Sequence, residues 1–218
     1  MPKTMAQIRF DLGNWLRNGE QAILNILLPL GALAASTRLT LTGEDRAALV
    51  ILFAIGASSF TSIAISTAFD RRAGALKVYG ISPLGRRGFV QARIATAAIL
   101  TFAQIFVLTL VAIISRIDFE FSLTTLAFAV LSQVAWISLA LIFASIFRAE
   151  AVLALANLLF VSAVALTWFT QQTASLLGLA TPMSCAALAI SGNTVGLASL
   201  AAWVIVSLTV AIKTLRWE

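Results

Sequence analysis

The sequence predicts an all-α membrane protein in one domain spanning residues 1–218, with six transmembrane helices. It adds an N-terminal interfacial amphipathic helix and an extracytoplasmic re-entrant hairpin between spans five and six. Three observations carry this expectation. The 218 residues are 60% hydrophobic and only 11% charged, with a mean hydropathy of +0.98, more apolar than a soluble core requires. The charges are gathered between long uncharged runs, Gln21–Thr37, Ala47–Phe69, Ile94–Ser115, Phe121–Phe147 and Ala151–Ile212, and a helical span needs about 20 such residues. The Lys and Arg residues fall on alternate connections, as the positive-inside rule requires.

Residues 1–19 come first. Ile8, Leu12, Trp15 and Leu16 recur at i, i+4, i+7 and i+8, while Arg9, Asp11, Asn14 and Arg17 take other faces, so this segment is expected to lie flat at the interface. Gly19 lets the chain turn into span one. The charges alternate with apolar residues before that span, unlike a cleavable signal, so the first span is expected to act as the targeting signal.

With the N-terminus inside, Lys3, Arg9, Arg17, Arg71, Arg72, Lys77, Arg86, Arg87, Arg93, Arg148, Lys213 and Arg216 are all cytoplasmic. That leaves only Arg38, Arg46 and Arg116 of the fifteen basic residues outside. A cytoplasmic tail requires an even number of crossings. The 62-residue run Ala151–Ile212 is therefore read as span five, Ala151–Phe169, and span six, about Asn193–Ile212. Gln171, Gln172, Pro182 and two glycines mark residues 171–192 between them as the outer hairpin. A seventh span there would push the basic tail outside.

The loop "FDRRAGALKVYGISPLGRRGF", Phe69–Phe89, crowds five basic residues and one acid into 21 positions. Orientation and attraction to anionic lipid explain the charges but not their arrangement. Asp70–Tyr79 can prolong span two, with Gly80 as the left-handed cap that stops it. Ser82 is the expected N-cap and Pro83 a first-turn residue of a helix running into span three. A basic helical elbow on the cytoplasmic face suits a protein on which another protein must push.

The chemistry the spans could carry is limited. Their interiors hold no Asp, Glu, Lys, Arg or His, the groups that proton-coupled carriers use as relays and counter-ions. The chain has no His and a lone Cys185, so neither a Cys/His metal site nor an internal disulfide is expected. No carboxylate pair or activated nucleophile lies in a span, and no G-x-x-x-x-G-K-[ST] loop is present, so neither catalysis nor ATP binding is expected of this chain. Energy for active transport would have to come from another subunit.

The loop resembles the corresponding cytoplasmic segment of type-2 ABC exporter permeases, the superfamily that includes daunorubicin-type drug exporters and polysaccharide and lipid-linked exporters. The matching residues are Asp70, Arg71, Arg72, Gly74, Leu76 and Lys77, then Ser82, Pro83, Leu84, Arg86 and Arg87. The ending "KTLRWE" is similar to the F-R-W-E endings of actinobacterial members. Two departures are Asp70 where many relatives carry Glu, and Thr181-Pro182 where the hairpin often carries Asn-Pro.

The resemblance implies a prokaryotic cell-membrane permease with both termini cytoplasmic, dimerising with itself or a paralogue. It also implies two copies of an ABC ATPase subunit that hold the ATP and Mg, docked on the elbow as a coupling helix. No cofactor on this chain and no nucleic-acid partner are expected. Ser58, Ser62 and Ser66 share one face of span two with Ser59 beside them, and these serines with Asn157 of span five are candidates for the pathway or a dimer interface. The lack of intramembrane charge favours an apolar or amphipathic cargo. A haem-exporter-B-like subunit in cytochrome assembly and a non-transporting membrane scaffold are the alternatives.

Overall fold

In the computed structural model, residues 3–17, 19–173 and 176–214 are described. The side chains of Arg86, Gln171 and Gln172, and the tail Leu215–Glu218, lie outside the described residues. Among the described residues every regular element is helical: α1 (Lys3–Arg17), α2 (Gly19–Ser36), α3 (Gly43–Ile55), a π segment (Gly56–Ser62), α4 (Ile63–Arg72), α5 (Ala75–Ile81), α6 (Gly85–Ile114), α7 (Leu123–Ile146), α8 (Ala149–Thr173), a 3-10 turn (Leu176–Leu179), α9 (Pro182–Ile190) and α10 (Thr194–Thr214). Among the described residues five helices are long and apolar enough to cross a membrane, Gly43–Arg72, Arg87–Ile114, Leu123–Ile146, Ala149–Phe169 and Thr194–Thr214, as a multi-pass membrane protein requires. In α2 the fully described apolar stretch is Asn25–Ser36.

Side-chain caps define several starts. Thr42 accepts from the Asp45 N–H (3.1 Å), Ser122 from Thr125 (3.2 Å) and Thr181 from Ser184 (3.1 Å), with Pro182 in the first turn of α9. Inside α2, Pro29 has no N–H to give the Asn25 carbonyl. The Gln104 amide of α6 donates to that carbonyl at 2.7 Å, so a helix-breaking residue becomes a joint between α2 and α6.

The continuous Gly43–Arg72 helix is the most buried of the five, and it packs against α7, α8 and α9 around a core of Ile51, Phe60, Trp136 and Leu141. Phe60 sits 4.8 Å from Trp136 and 5.8 Å from Phe143, ring centre to ring centre. A polar tie crosses this apolar interior: Gln133 Nε2 donates to Ser59 Oγ (3.0 Å) and Thr101 Oγ1 (2.6 Å), linking α7 to the π segment and α6.

The two ends of the bundle differ. At one end Arg46 donates to the carbonyls of Asp118 (2.5 Å) and Leu41 (3.2 Å), lacing the α2–α3 and α6–α7 connections together. The nine-residue α9, too short to cross a bilayer, folds back here with the 3-10 turn. It is held by Ser132 Oγ donating to the Pro182 carbonyl (3.2 Å), while Trp203 Nε1 donates to Leu179 (3.1 Å). The other end carries α1, α5 and the α7–α8 connection, and it holds the functional candidates.

Candidate functional site

The expected elbow exists, but it breaks earlier than expected. The α4 helix stops at Arg72, and Gly74, at φ +77°, is the left-handed residue that turns the chain into α5. Gly80 lies inside α5 and is no left-handed cap. The reason is burial: the early turn brings Leu76 (1% exposed) back onto the bundle and Tyr79 against Phe89, 5.4 Å between rings. A helix running straight on to Tyr79 would have carried both beyond the apolar core. Ser82 is likewise corrected: it is extended at the end of α5, accepts from the Leu84 N–H (3.4 Å) and donates to the Tyr79 carbonyl (2.6 Å). It caps a short Pro83–Leu84 turn, and α6 begins only at Gly85, with φ +65°.

Because no atom lies within 4 Å of a Cβ built on Gly74, a substitution there acts through the backbone alone. Gly74→Ala is expected to cost about 1–2 kcal/mol by forcing a side chain into the left-handed region. Gly80→Ala, at a helical position, should be neutral or slightly stabilising. Thermal unfolding of the two variants side by side checks this, and equal losses would contradict the Gly74 turn.

The charged residues of the elbow divide into two sets. Arg71 turns inward: its two Nη atoms donate to the carbonyls of Ser145 and Phe147, 2.5 Å each, at the C-terminal end of α7. Asp70 also turns inward, accepting from Arg93 Nη2 at 2.8 Å. Arg72 pairs with Glu150 of α8 in the open, where such pairs contribute little. Lys77 and Arg87 are exposed, as are Val78 (63%) and Ile81 (88%), so the outward face of the elbow mixes cations with bare aliphatic side chains.

The α1 helix forms as expected, but it is seated by polar residues. Gln7 and Asp11 are its buried residues against α6, while Ile8, Leu12 and Trp15 are half-buried and Leu16 is exposed. Asp11 accepts from Gln7 Nε2 (2.9 Å) and faces Arg93 Nη1 at 3.7 Å. Burial pushes its carboxyl above the ordinary carboxylate range, with Arg93 and Gln7 pulling the other way. Arg93, whose guanidinium also lies 5.1 Å over the Phe89 ring, joins α1, α4 and α6. Sequence reasoning placed Arg93 only among the inside charges; its position as the last charge before the Ile94–Ser115 run was the available signal.

Three of the serines share one face, as their spacing predicts. Ser58, Ser62 and Ser66 line a cavity of about 180 Å3 together with Asp11, Asp70 and Arg93. Ser59 is fully buried on another side of the helix, accepting from Gln133. A single step along the helix is enough to turn Ser59 away from the cavity that its neighbour Ser58 lines, although both lie in the π segment. Asn157 neither bridges helices within the chain nor lines this cavity: it is exposed on α8 and donates to its own Leu153 carbonyl at 2.9 Å. At the opposite end a cavity of about 600 Å3, in the range of small-molecule sites, is bounded by residues that include Arg38, Glu44, Asp45, Trp168 and Ile190.

No family model, curated protein or solved structure matches this chain. Its function therefore has to be read from the geometry of the elbow and of the Asp11–Arg93–Asp70 cluster.

Proposed function

We propose that this chain is the permease subunit of an ATP-driven exporter of the type-2 ABC kind, moving an apolar or amphipathic substrate outward. The observation that carries the reading is the elbow. Its inner side is tied to the spans by Arg71, Leu76 and Tyr79, and its outer side bares Val78 and Ile81 beside Lys77 and Arg87. An element gripped by the bundle on one side and offering an aliphatic and cationic surface on the other can transmit a push from a docked subunit. In this reading two ATPase copies bind ATP and Mg, and the permease pairs with itself or a paralogue in the cell membrane.

Six spans, with α2 as the first and α9 with its preceding turn as the outer hairpin, put both termini and the elbow on the cytoplasmic side. The alternating helix directions support this. The Gly43–Arg72 helix ends near the α7–α8 connection, and the α6–α7 connection lies against the start of α3.

Affinity purification from native membranes tests the proposal. The chain alone should hydrolyse no ATP, and a phosphate-loop ATPase should co-purify with it. Ile81→Asp and Val78→Asp should lose that partner at unchanged membrane level, while Leu123→Asp, exposed at the far end, should retain it. Recovery with no ATPase would sink the exporter reading in favour of a scaffold. Cysteine labels at Thr42 and Phe119 should react from outside, and those at Gly80 and Thr214 only after permeabilisation. The native Cys185 is buried and gives little background. Outside labelling of Thr214 would refute the six-span topology.

A further inference from the structure

We propose that the cavity between α1, the Gly43–Arg72 helix and α6 is a binding site for one partly hydrated alkali cation, sodium or potassium. The charge balance is the first argument. Two carboxylates, Asp11 and Asp70, face a single guanidinium, Arg93, which leaves one negative charge at a largely buried position. A single positive charge neutralises it, and a divalent ion would reverse it.

The second argument is the inventory of unsatisfied atoms. Among the described residues Asp11, 6% exposed, has no hydrogen-bond partner at Oδ2, and Thr96, 7% exposed and also lining the cavity, has none at Oγ1. Trp15 Nε1 and Arg93 Nε are buried donors without partners in the same wall. Leaving such groups unpaired is costly, and one species satisfies both kinds. The ion takes Asp11 Oδ2 and hydroxyl oxygens directly, while the oxygens of its waters accept from the indole and guanidinium N–H groups.

The third argument is how the serines are turned. Ser58 Oγ donates its proton to the Ala54 carbonyl at 2.8 Å, and Ser66 Oγ donates to Ile63 at 3.2 Å. With their protons committed to the backbone, these hydroxyls offer lone pairs for a further partner, which is what a hard cation takes as ligand. The space of about 180 Å3 has room for the ion and several waters. A cation here would hold α1 against α4 and α6 at the root of the elbow. This inference does not depend on the proposed transport function.

The test uses the purified full chain in nanodiscs at fixed pH and ionic strength. Sodium or potassium chloride should raise the Tm above that in choline chloride in a saturable way, by roughly 4 °C or more once the site is filled. Labelled sodium or rubidium should bind with one site per chain. Asp11→Asn should abolish both effects, and in choline it should be at least as stable as the wild type because the buried charge is gone. If Asp11→Asn does not fold, Thr96→Val, which removes only a hydroxyl, should weaken ion binding several-fold. Glu150→Gln, in the exposed pair, should bind as the wild type does.

Identical Tm values in all three salts, with stability falling as pH rises through the raised Asp11 pKa, would overturn the proposal. They would mean a protonated carboxyl over a water-filled cavity, with Arg93, Asp70, Gln7 and Tyr79 as its charged and polar surroundings. Stabilisation by methylammonium but by neither alkali ion would also overturn it, in favour of an organic amine.

Discussion

Arg71→Ala is expected to destabilise the protein by about 3–5 kcal/mol, because it removes two charge-assisted hydrogen bonds and orphans two carbonyls at the end of α7. In a chain of this length that corresponds to a Tm roughly 6–20 °C lower. The loss should be cooperative with the elbow, since the same side chain fixes where α4 ends. Arg71→Lys should recover only about half, because one ammonium on a flexible stem cannot span the carbonyls of Ser145 and Phe147 as a planar fork does. Arg72→Ala, one residue on, breaks only an exposed pair and should shift the Tm by no more than about 4 °C. Intrinsic tryptophan fluorescence during heating reads all three. A wild-type Tm for Arg71→Ala would mean that the α7 terminus is capped by other means.

Gly196→Val should be the most damaging single substitution at the opposite end of the bundle. A Cβ at Gly196 would stand 2.6 Å from Leu188 Cβ, 3.0 Å from the Ala189 nitrogen and 3.1 Å from the Cys185 carbonyl oxygen. Two of these neighbours are backbone of α9 and cannot rotate away, so α10 and α9 must separate. Gly196→Ala should already cost about 1–3 kcal/mol, and the branched side chain of valine more. Separation also pulls Trp203 from the Leu179 carbonyl and exposes Cys185, which is fully buried. Labelling of Cys185 by a water-soluble maleimide should therefore rise sharply in the variant. Gly31→Ala, with no atom within 4 Å of the new methyl, is the control and should be neutral or stabilising. Unchanged Cys185 reactivity in Gly196→Val would refute the tight α9–α10 contact.

The long helices were legible because each is an apolar stretch of about 20 residues bracketed by charge, and a bilayer leaves such a stretch only one way to satisfy its backbone. The Asn193 boundary could be read from local chemistry alone, whereas the start of α9 at Thr181-Pro182 was covered only by the broader hairpin 171–192. The position of the elbow turn could not. Both Gly74 and Gly80 can adopt a left-handed conformation, and the choice rests on where Leu76 finds a partner, a fact about α6 and Phe89 distant in sequence.

The role of Asp11 was hidden for a related reason. A buried acid on an amphipathic helix is indistinguishable from a solvated one until the guanidinium of Arg93, 82 positions away, is placed against it. Ser59, read only as lying beside the face of Ser58, Ser62 and Ser66, accepts from Gln133, a partner 74 positions away that helical spacing cannot reveal.

The π segment also works as an angular offset between the two halves of the Gly43–Arg72 helix. Upstream, the phase of the helix is set by Arg46 and its carbonyl partners; downstream, it is set by Asp70 and Arg71, which must reach Arg93 and the α7 terminus at the same time. The wide turn between Gly56 and Ser62 can lose one residue and close to an ordinary α turn with both ends near their present phase, whereas the same deletion in a regular α stretch would swing everything beyond it by about 100°. Asp70 would then point away from α6 and the Gly74 turn would emerge on another side of the bundle. The two ends of the helix cannot exchange residues freely, since each is read by partners that fix its own rotational frame.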